Sequence, residues 1–392
     1  MKLFNTLTKS KDEFKPLDEN EVKMYVCGIT PYDTTHLGHA FTYTAFDVLY
    51  RFLDAQGYQI NYTQNVTDID DDILKKAKQV KKDWQELGTF WTDKYVADMK
   101  TLNNVPPTHY VKATETIPTI IAIIRKLDDD NMAYAKNGNV YYRVSKNPDY
   151  GKISAYTREQ MITLSKERGA NPSDPNKEDP LDFILWQKSL PGEPSWDSPW
   201  GKGRPGWHIE CSAMIYKFLG AQIDIHGGGS DLIYPHHESE IAQSEQFTGK
   251  HPFSQFWMHT GAVMYEGEKM SKSLGNLVMV SELLKTYSAN AIKYVLLSHH
   301  YRIPWEYRQK ELDAAQRAMD TIEETIKAKP MSPGSDTSIW MQQFTDALAD
   351  DLDTPKALGT IIELVEEQNA NPTATNQETL MDMAEVLGFR TE

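Results

Sequence analysis

Apolar residues along this chain switch between two spacings, and the switching outlines a fold. Residues 22–26 form a short apolar run that predicts a strand. Over 36–53, Ala40, Tyr43, Phe46, Leu49 and Phe52 recur at helical spacing. Residues 58–66 alternate and predict a second strand. Thr67 to Asp72 then supplies an acidic first turn for a helix through Ile73 and Ala77. A β-α-β-α order implies an α/β fold built on a parallel sheet.

Farther along, 84–103 and 114–128 predict helices, with a hard stop at Pro106-Pro107. Asn137-Gly138 lies between two apolar stretches and predicts a hairpin. Residues 147–204 are rich in Pro, Gly, Asp and Lys and predict a surface insertion outside the core sheet. Core-like pattern returns with a helix at 206–215, a buried strand at 223–226, a glycine turn at 227–231, a helix at 236–245 and a strand at 256–264. Past residue 280 the period is helical: 280–286, 289–299, 307–327, 340–349, 354–369 and 377–387, with a linker at 329–335. The expected organisation is an α/β domain in two halves, 1–125 and 206–268, split by an insertion, 126–205. A loop region, 269–310, and a helical domain, 311–392, follow.

Composition narrows the class. Of the 392 residues, 40% are hydrophobic and 25% charged, ordinary for a globular protein in water. Two cysteines are too few for a disulfide framework. Met1-Lys-Leu-Phe4 opens no secretory signal pattern, and no apolar run reaches membrane-spanning length. A cytoplasmic protein without a membrane partner is expected. The net charge of −15 argues against an extended nucleic-acid surface, which needs clustered Lys and Arg, but leaves room for a local basic groove.

Three groups of residues carry chemistry. His36-Leu-Gly-His39 opens a helix just after the first strand; a helix start suits a phosphate, and histidines three apart share a face. Cys27, Cys211, His236 and Glu240 offer two thiolates, an imidazole and a carboxylate, a donor set that zinc prefers. His237 is the alternative to His236. The plainer reading of these four is two buried thiols and a surface helix. Gly227, Gly228 and Gly229 let a ligand approach backbone, and Asp231 suits ribose hydroxyls. Lys269 and Lys272 sit in a glycine-flanked loop from which both side chains can swing onto a pyrophosphate.

His36-Leu-Gly-His39 and Lys269-Met-Ser-Lys-Ser273, in this order, resemble the paired ATP motifs of class I aminoacyl-tRNA synthetases. Tyr25-Val-Cys-Gly28, Asn65-Val-Thr-Asp-Ile-Asp-Asp71, Arg204-Pro-Gly-Trp-His-Ile-Glu-Cys211, Asp224-Ile-His-Gly-Gly-Gly-Ser-Asp231 and Pro235-His-His-Glu-Ser-Glu240 resemble the cysteinyl-tRNA synthetase family. The likeness spans roughly residues 20–310 and continues more weakly to the end. It implies a Rossmann-like catalytic domain with a helical bundle behind it. It also implies L-cysteine and ATP, with Mg2+, as substrates, one zinc held by Cys27, Cys211, His236 and Glu240, and cysteinyl-adenylate as the intermediate. Gly28, Thr30, Thr67 and Trp207 would line the cysteine pocket. His36, His39, Lys269 and Lys272 would act on the phosphates. The family is compatible with a monomer.

Two features set this chain apart within the resemblance. It stops at Glu392, where such enzymes usually continue into an anticodon-reading module, so that module is expected to be missing. Cys27-Gly-Ile-Thr-Pro-Tyr-Asp33 and Pro191-Gly-Glu-Pro-Ser-Trp196 also resemble the sister ligase of mycothiol biosynthesis, which joins cysteine to the amine of glucosaminyl-inositol. Ile209-Glu-Cys-Ser-Ala-Met214, Ser239-Glu-Ile-Ala-Gln-Ser-Glu245 and Lys272-Ser-Leu-Gly-Asn276 lean to the synthetase. The expected acceptor is therefore the 3′ end of tRNA(Cys), with the sugar amine as the alternative.

Overall fold

The structure is a computed structural model that describes residues 1–32, 35–270, 274–334 and 336–391. Lys272, named above as a phosphate ligand, lies outside the described residues. An N-terminal hairpin, β1 (Lys2–Asn5) and β2 (Ser10–Glu13), precedes the main sheet. Next come β3 (Glu21–Ile29), α1 (Leu37–Ala55), β4 (Gln59–Val66), α2 (Asp71–Val80), α3 (Trp84–Thr101), β5 (His109–Lys112) and α4 (Ile117–Asp129). β6 (Ala133–Lys136) and β7 (Asn139–Tyr142) form the hairpin around Asn137-Gly138.

The stretch 147–204 departs from expectation. Besides loops it supplies α5 (Arg158–Glu167), β8 (Phe183–Lys188) and β9 (Gly203–Pro205). β8 and β9 extend the hairpin into a four-stranded antiparallel sheet, β6-β7-β8-β9. Leu185 and Trp186 on β8 are wholly buried, so the insertion has its own apolar core against α4. Turn residues around a six-residue strand hid its pattern.

α6 (Trp207–Phe218), β10 (Ile223–Gly229), α7 (Glu238–Thr248) and β11 (Ser254–Thr260) complete the α/β layer. The main sheet is five-stranded and parallel, ordered β11-β10-β3-β4-β5. After β3 the chain winds outward through β4 to β5, then returns to lay β10 on the other side of β3. The order reverses there, and the crevice beyond the carboxyl ends of β3 and β10 is where such sheets bind ligands.

The run Gly227–Gly229 is strand, not turn, and none of the three glycines has positive φ. A Cβ on Gly227 would lie 2.1 Å from the ring of Phe46, a buried residue of α1. The glycine is there so that α1 can settle onto β10. Gly227→Ala is expected to cost about 1–3 kcal/mol through overpacking, read as a lowered urea midpoint; an unchanged midpoint would mean that α1 can retreat freely.

The remainder comprises β12 (Val263–Tyr265), β13 (Glu268–Lys269), α8 (Val280–Leu283), α9 (Ala289–Leu297), β14 (Trp305–Glu306), α10 (Gln309–Lys327), α11 (Ser338–Ala349), α12 (Thr354–Ala370) and α13 (Ala374–Val386). This helical end is pinned to α1 by a buried ion pair. Lys293 on α9 donates from Nζ to Asp47 Oδ2 at 2.7 Å, and to the carbonyls of Asn103 and Gly388 at 3.3 Å. Arg51 adds a second cation, its Nε 3.1 Å from Asp47 Oδ2. Among the described residues no helix is long and apolar enough to cross a membrane.

Candidate active site

A cavity of about 500 Å³ opens at the sheet's crossing point. It is lined by Cys27, Gly28 and Thr30 from β3 and its exit, Thr67 beyond β4, and Trp207, Cys211 and His236. Toward its other end lie His36, His39, Gly229, Asp231 and Lys269. Gly227 and Gly228 are buried in β10 and face Phe46, Leu232 and His237 instead of lining the cavity.

Two buried histidines and a carboxylate converge on Cys27. Ligand atoms of Cys27, His236, His237 and Glu240 all lie within 4.8 Å of one another. His236 Nε2 is 2.8 Å from Glu240 Oε1, and His237 Nε2 is 3.3 Å from Cys27 Sγ. Cys211, on α6, is hydrogen-bonded to both Cys27 and His236. The two histidines lie in a π-helical turn, Ile233–His237, so α7 begins at Glu238 and not at His236 as the periodicity implied. π-turns often occur at functional sites.

The carboxylate and both imidazoles are held from behind. His226 Nε2 lies 2.8 Å from Glu240 Oε2, and His226 stacks on Trp257 at 4.3 Å. His259 Nε2 meets His237 Nδ1 at 2.7 Å, and Thr6 Oγ1 holds the far nitrogen of His259 at 2.7 Å. His208 and His236 approach through Nδ1 at 2.9 Å, and Trp207 stacks on His236 at 4.3 Å.

The electrostatics collect negative donors about one point. Burial pushes Glu240 up, but His226 and His236 outweigh it and bring the carboxyl down to about 2. Burial likewise opposes ionisation of Cys211, yet the Cys27 and His236 hydrogen bonds lower its thiol. His236 is raised to about 10, since Glu240 and Cys211 override the effect of burial. Burial and neighbouring imidazoles keep His237 well below the usual histidine range. The His236 imidazolium balances the buried carboxylate; soft sulfur with imidazole and carboxylate is the donor set that fits zinc, whose binding would displace that proton.

Beside this cluster, Asn65 ties the pocket together. Its Oδ1 accepts from the Gly28 N–H at 2.7 Å and from the Tyr25 hydroxyl at 3.0 Å, and its Nδ2 donates to Thr67 Oγ1 at 3.1 Å. A Cβ on Gly28 would lie 1.7 Å from the Asn65 carbonyl oxygen, so only glycine permits this contact.

At the nucleotide end, His36 is the N-cap of α1, and its Nδ1 accepts from Gly38 N–H at 3.1 Å. The Leu37 N–H is bonded to the Val278 carbonyl at 2.9 Å. Those two N–H groups, expected to face an anion, are therefore engaged within the protein. The rings of His36 and His39 stack at 3.7 Å and present their imidazoles together. Across the cavity Lys269 Nζ lies 2.9 Å from Asp231 Oδ2, and Arg168 reaches the same oxygen at 3.6 Å. Burial raises Asp231, but these two cations outweigh it and lower its carboxyl.

Sequence reading did not single out Asn65, His226, His259 or Arg168. Asn65 and His226 sat inside runs already quoted, His259 in a strand pattern, and Arg168 in the insertion, where no spacing signalled an approach to Asp231.

The fold and cavity define the class I aminoacyl-tRNA synthetase type. Residues 13–317 match the family model described as tRNA synthetases class I (C) catalytic domain, and residues 343–390 match the DALR domain. Mycobacterium tuberculosis methionyl-tRNA synthetase in complex with methionyl-adenylate has the same fold, with a TM-score of 0.62 at 15% identity over 94% of this chain and 89% of that one. A cysteine--tRNA ligase of Dehalococcoides mccartyi is 45% identical over 99% of this chain and 86% of its own length. One from Legionella pneumophila is 44% identical over 99% and 84%. The chain belongs to the cysteine--tRNA ligase family.

Proposed function

We propose that the protein activates L-cysteine with ATP and esterifies it to the 3′ end of tRNA(Cys). The observation that carries this reading is one cavity with a soft-donor cluster at one end and the stacked imidazoles and the Asp231–Lys269 pair at the other. In the first half-reaction the cysteine carboxylate attacks the α-phosphorus of Mg-ATP and pyrophosphate leaves. In the second, a terminal ribose hydroxyl of tRNA attacks the acyl carbon and AMP leaves.

Cys27, Cys211, His236 and Glu240 would hold zinc, with His237 within reach as an alternative imidazole. Zinc supplies a Lewis acid that favours a thiolate over a hydroxyl, so serine is rejected without an editing site. Gly28, Thr30, Thr67 and Trp207 would surround the amino acid, with Asn65 fixing the first and third of these. His36 and His39 would meet the phosphates, and Lys269 would neutralise charge as it develops on them. Lys272 is assigned the same task from its motif. Gly229 and Asp231 would face the ribose; Gly227 and Gly228 would support them from within β10. A cytoplasmic monomer suits this role.

The names carried by the similar proteins favour tRNA over the sugar amine. The test has two arms. Cysteine-dependent exchange of labelled pyrophosphate into ATP is expected from zinc-replete protein. Acylation of tRNA(Cys) is expected to follow, with glucosaminyl-inositol left unconsumed. Exchange without tRNA charging would overturn the acceptor, and no exchange would overturn the whole reading.

A further inference from the structure

We propose that a second cavity, behind Tyr43 as seen from the active site, binds a flat aromatic ligand that carries a negative charge. The cavity measures about 530 Å³, as roomy as the active site and within the range of small-molecule sites. It lies at the β4–β5 edge of the main sheet. Its walls are five tyrosines: Tyr43 and Tyr50 from α1, Tyr62 from β4, Tyr95 from α3 and Tyr110 from β5.

The rings are set at right angles and in parallel, as a box for another ring would be. Tyr95 and Tyr110 are nearly parallel, 11° apart with centroids at 6.3 Å, and Tyr43 meets Tyr95 edge-on at 5.2 Å and 74°. Such faces and edges favour an aromatic guest.

The Tyr43 hydroxyl donates to the Cys27 carbonyl at 3.1 Å, and the Tyr95 hydroxyl meets the Gln64 amide at 3.0 Å, so these two rings are fixed in place before a guest arrives.

Charge sets the rest of the ligand. Asp47, at the back of the cavity, is already matched by Lys293 and Arg51. Lys100 and Arg390 line the cavity, are exposed, and form no ion pair with a carboxylate among the described residues. An anionic substituent would find these cations unopposed.

A purine mononucleotide and an indole-type carboxylate share this chemistry. The test titrates AMP and indole-3-carboxylate separately into the full chain by calorimetry, with the active site filled by the stable adenylate analogue cysteinyl-sulfamoyl adenosine. At least one is expected to bind one-to-one. Val96→Trp, which places a ring in the cavity from a half-exposed position on its wall, is expected to weaken that binding at least 10-fold. Binding by AMP alone would mark a nucleotide site, and binding by the carboxylate alone an aromatic-acid site. No binding by either, or binding unchanged in Val96→Trp, overturns the proposal. Turnover enters neither readout, so failure here is distinct from failure of the ligase reading.

Discussion

Cys211→Ser is expected to strip the metal and, with it, the discrimination between cysteine and serine. Cys211 sits on α6 with its thiol bonded to both Cys27 and His236. Serine keeps the volume but replaces a soft, ionised donor with a hard, neutral one. Groups that merely orient a metal ligand are worth about 10–100-fold in affinity; loss of a direct donor should exceed about 100-fold. The measurement is zinc per chain after dialysis against a weak chelator, followed by cysteine- and serine-dependent pyrophosphate exchange. His226→Ala is the companion variant. It leaves every proposed donor in place but removes the imidazole 2.8 Å from Glu240 Oε2, so zinc affinity is expected to fall by about 10–100-fold. Full zinc occupancy in Cys211→Ser would remove that residue from the ligand set.

Asp47→Ala is expected to be the most destabilising single change outside the active site. It strands Lys293, whose side chain is 1% exposed and whose Nζ would keep only two carbonyls at 3.3 Å. Breaking a buried ion pair on one side costs about 3–5 kcal/mol, because the remaining charge is uncompensated. A chain of several cores need not unfold in one step, so the readout is the urea midpoint followed by two probes. Asp47→Ala combined with Lys293→Met removes both charges and is expected to recover much of the loss. If the double variant is no better than the single one, the pair is not what joins α9 to α1.

The parallel sheet was legible because β3 and β4 were each followed by an amphipathic helix, whereas the four-residue β5 was too short to show a pattern: Phe46, Leu49 and Phe52 kept helical step, and Tyr58 to Val66 kept strand step. The donors were legible as residue types, since two cysteines and a His-His pair in an otherwise ordinary composition stand out. Their supporting partners were not. Nothing in local spacing tells that His259 will meet both Thr6 and His237, or that Asn65 will join Gly28 to Thr67. Those contacts depend on which strands become neighbours. The glycine run misled for a related reason. A turn and a close crossing both demand a missing side chain, and only the position of Phe46 distinguishes them.

The contact between Lys269 and Asp231 bears on how small ions are turned away. Inorganic sulfate or phosphate could offer the lysine a counter-charge only by drawing it off the carboxylate, which would then keep Arg168 alone, at 3.6 Å. A nucleoside triphosphate brings oxygen anions for one partner and sugar hydroxyls for the other in the same molecule. The pair therefore behaves as a two-handed lock, opened by a ligand long enough to grasp both halves at once and indifferent to charge alone.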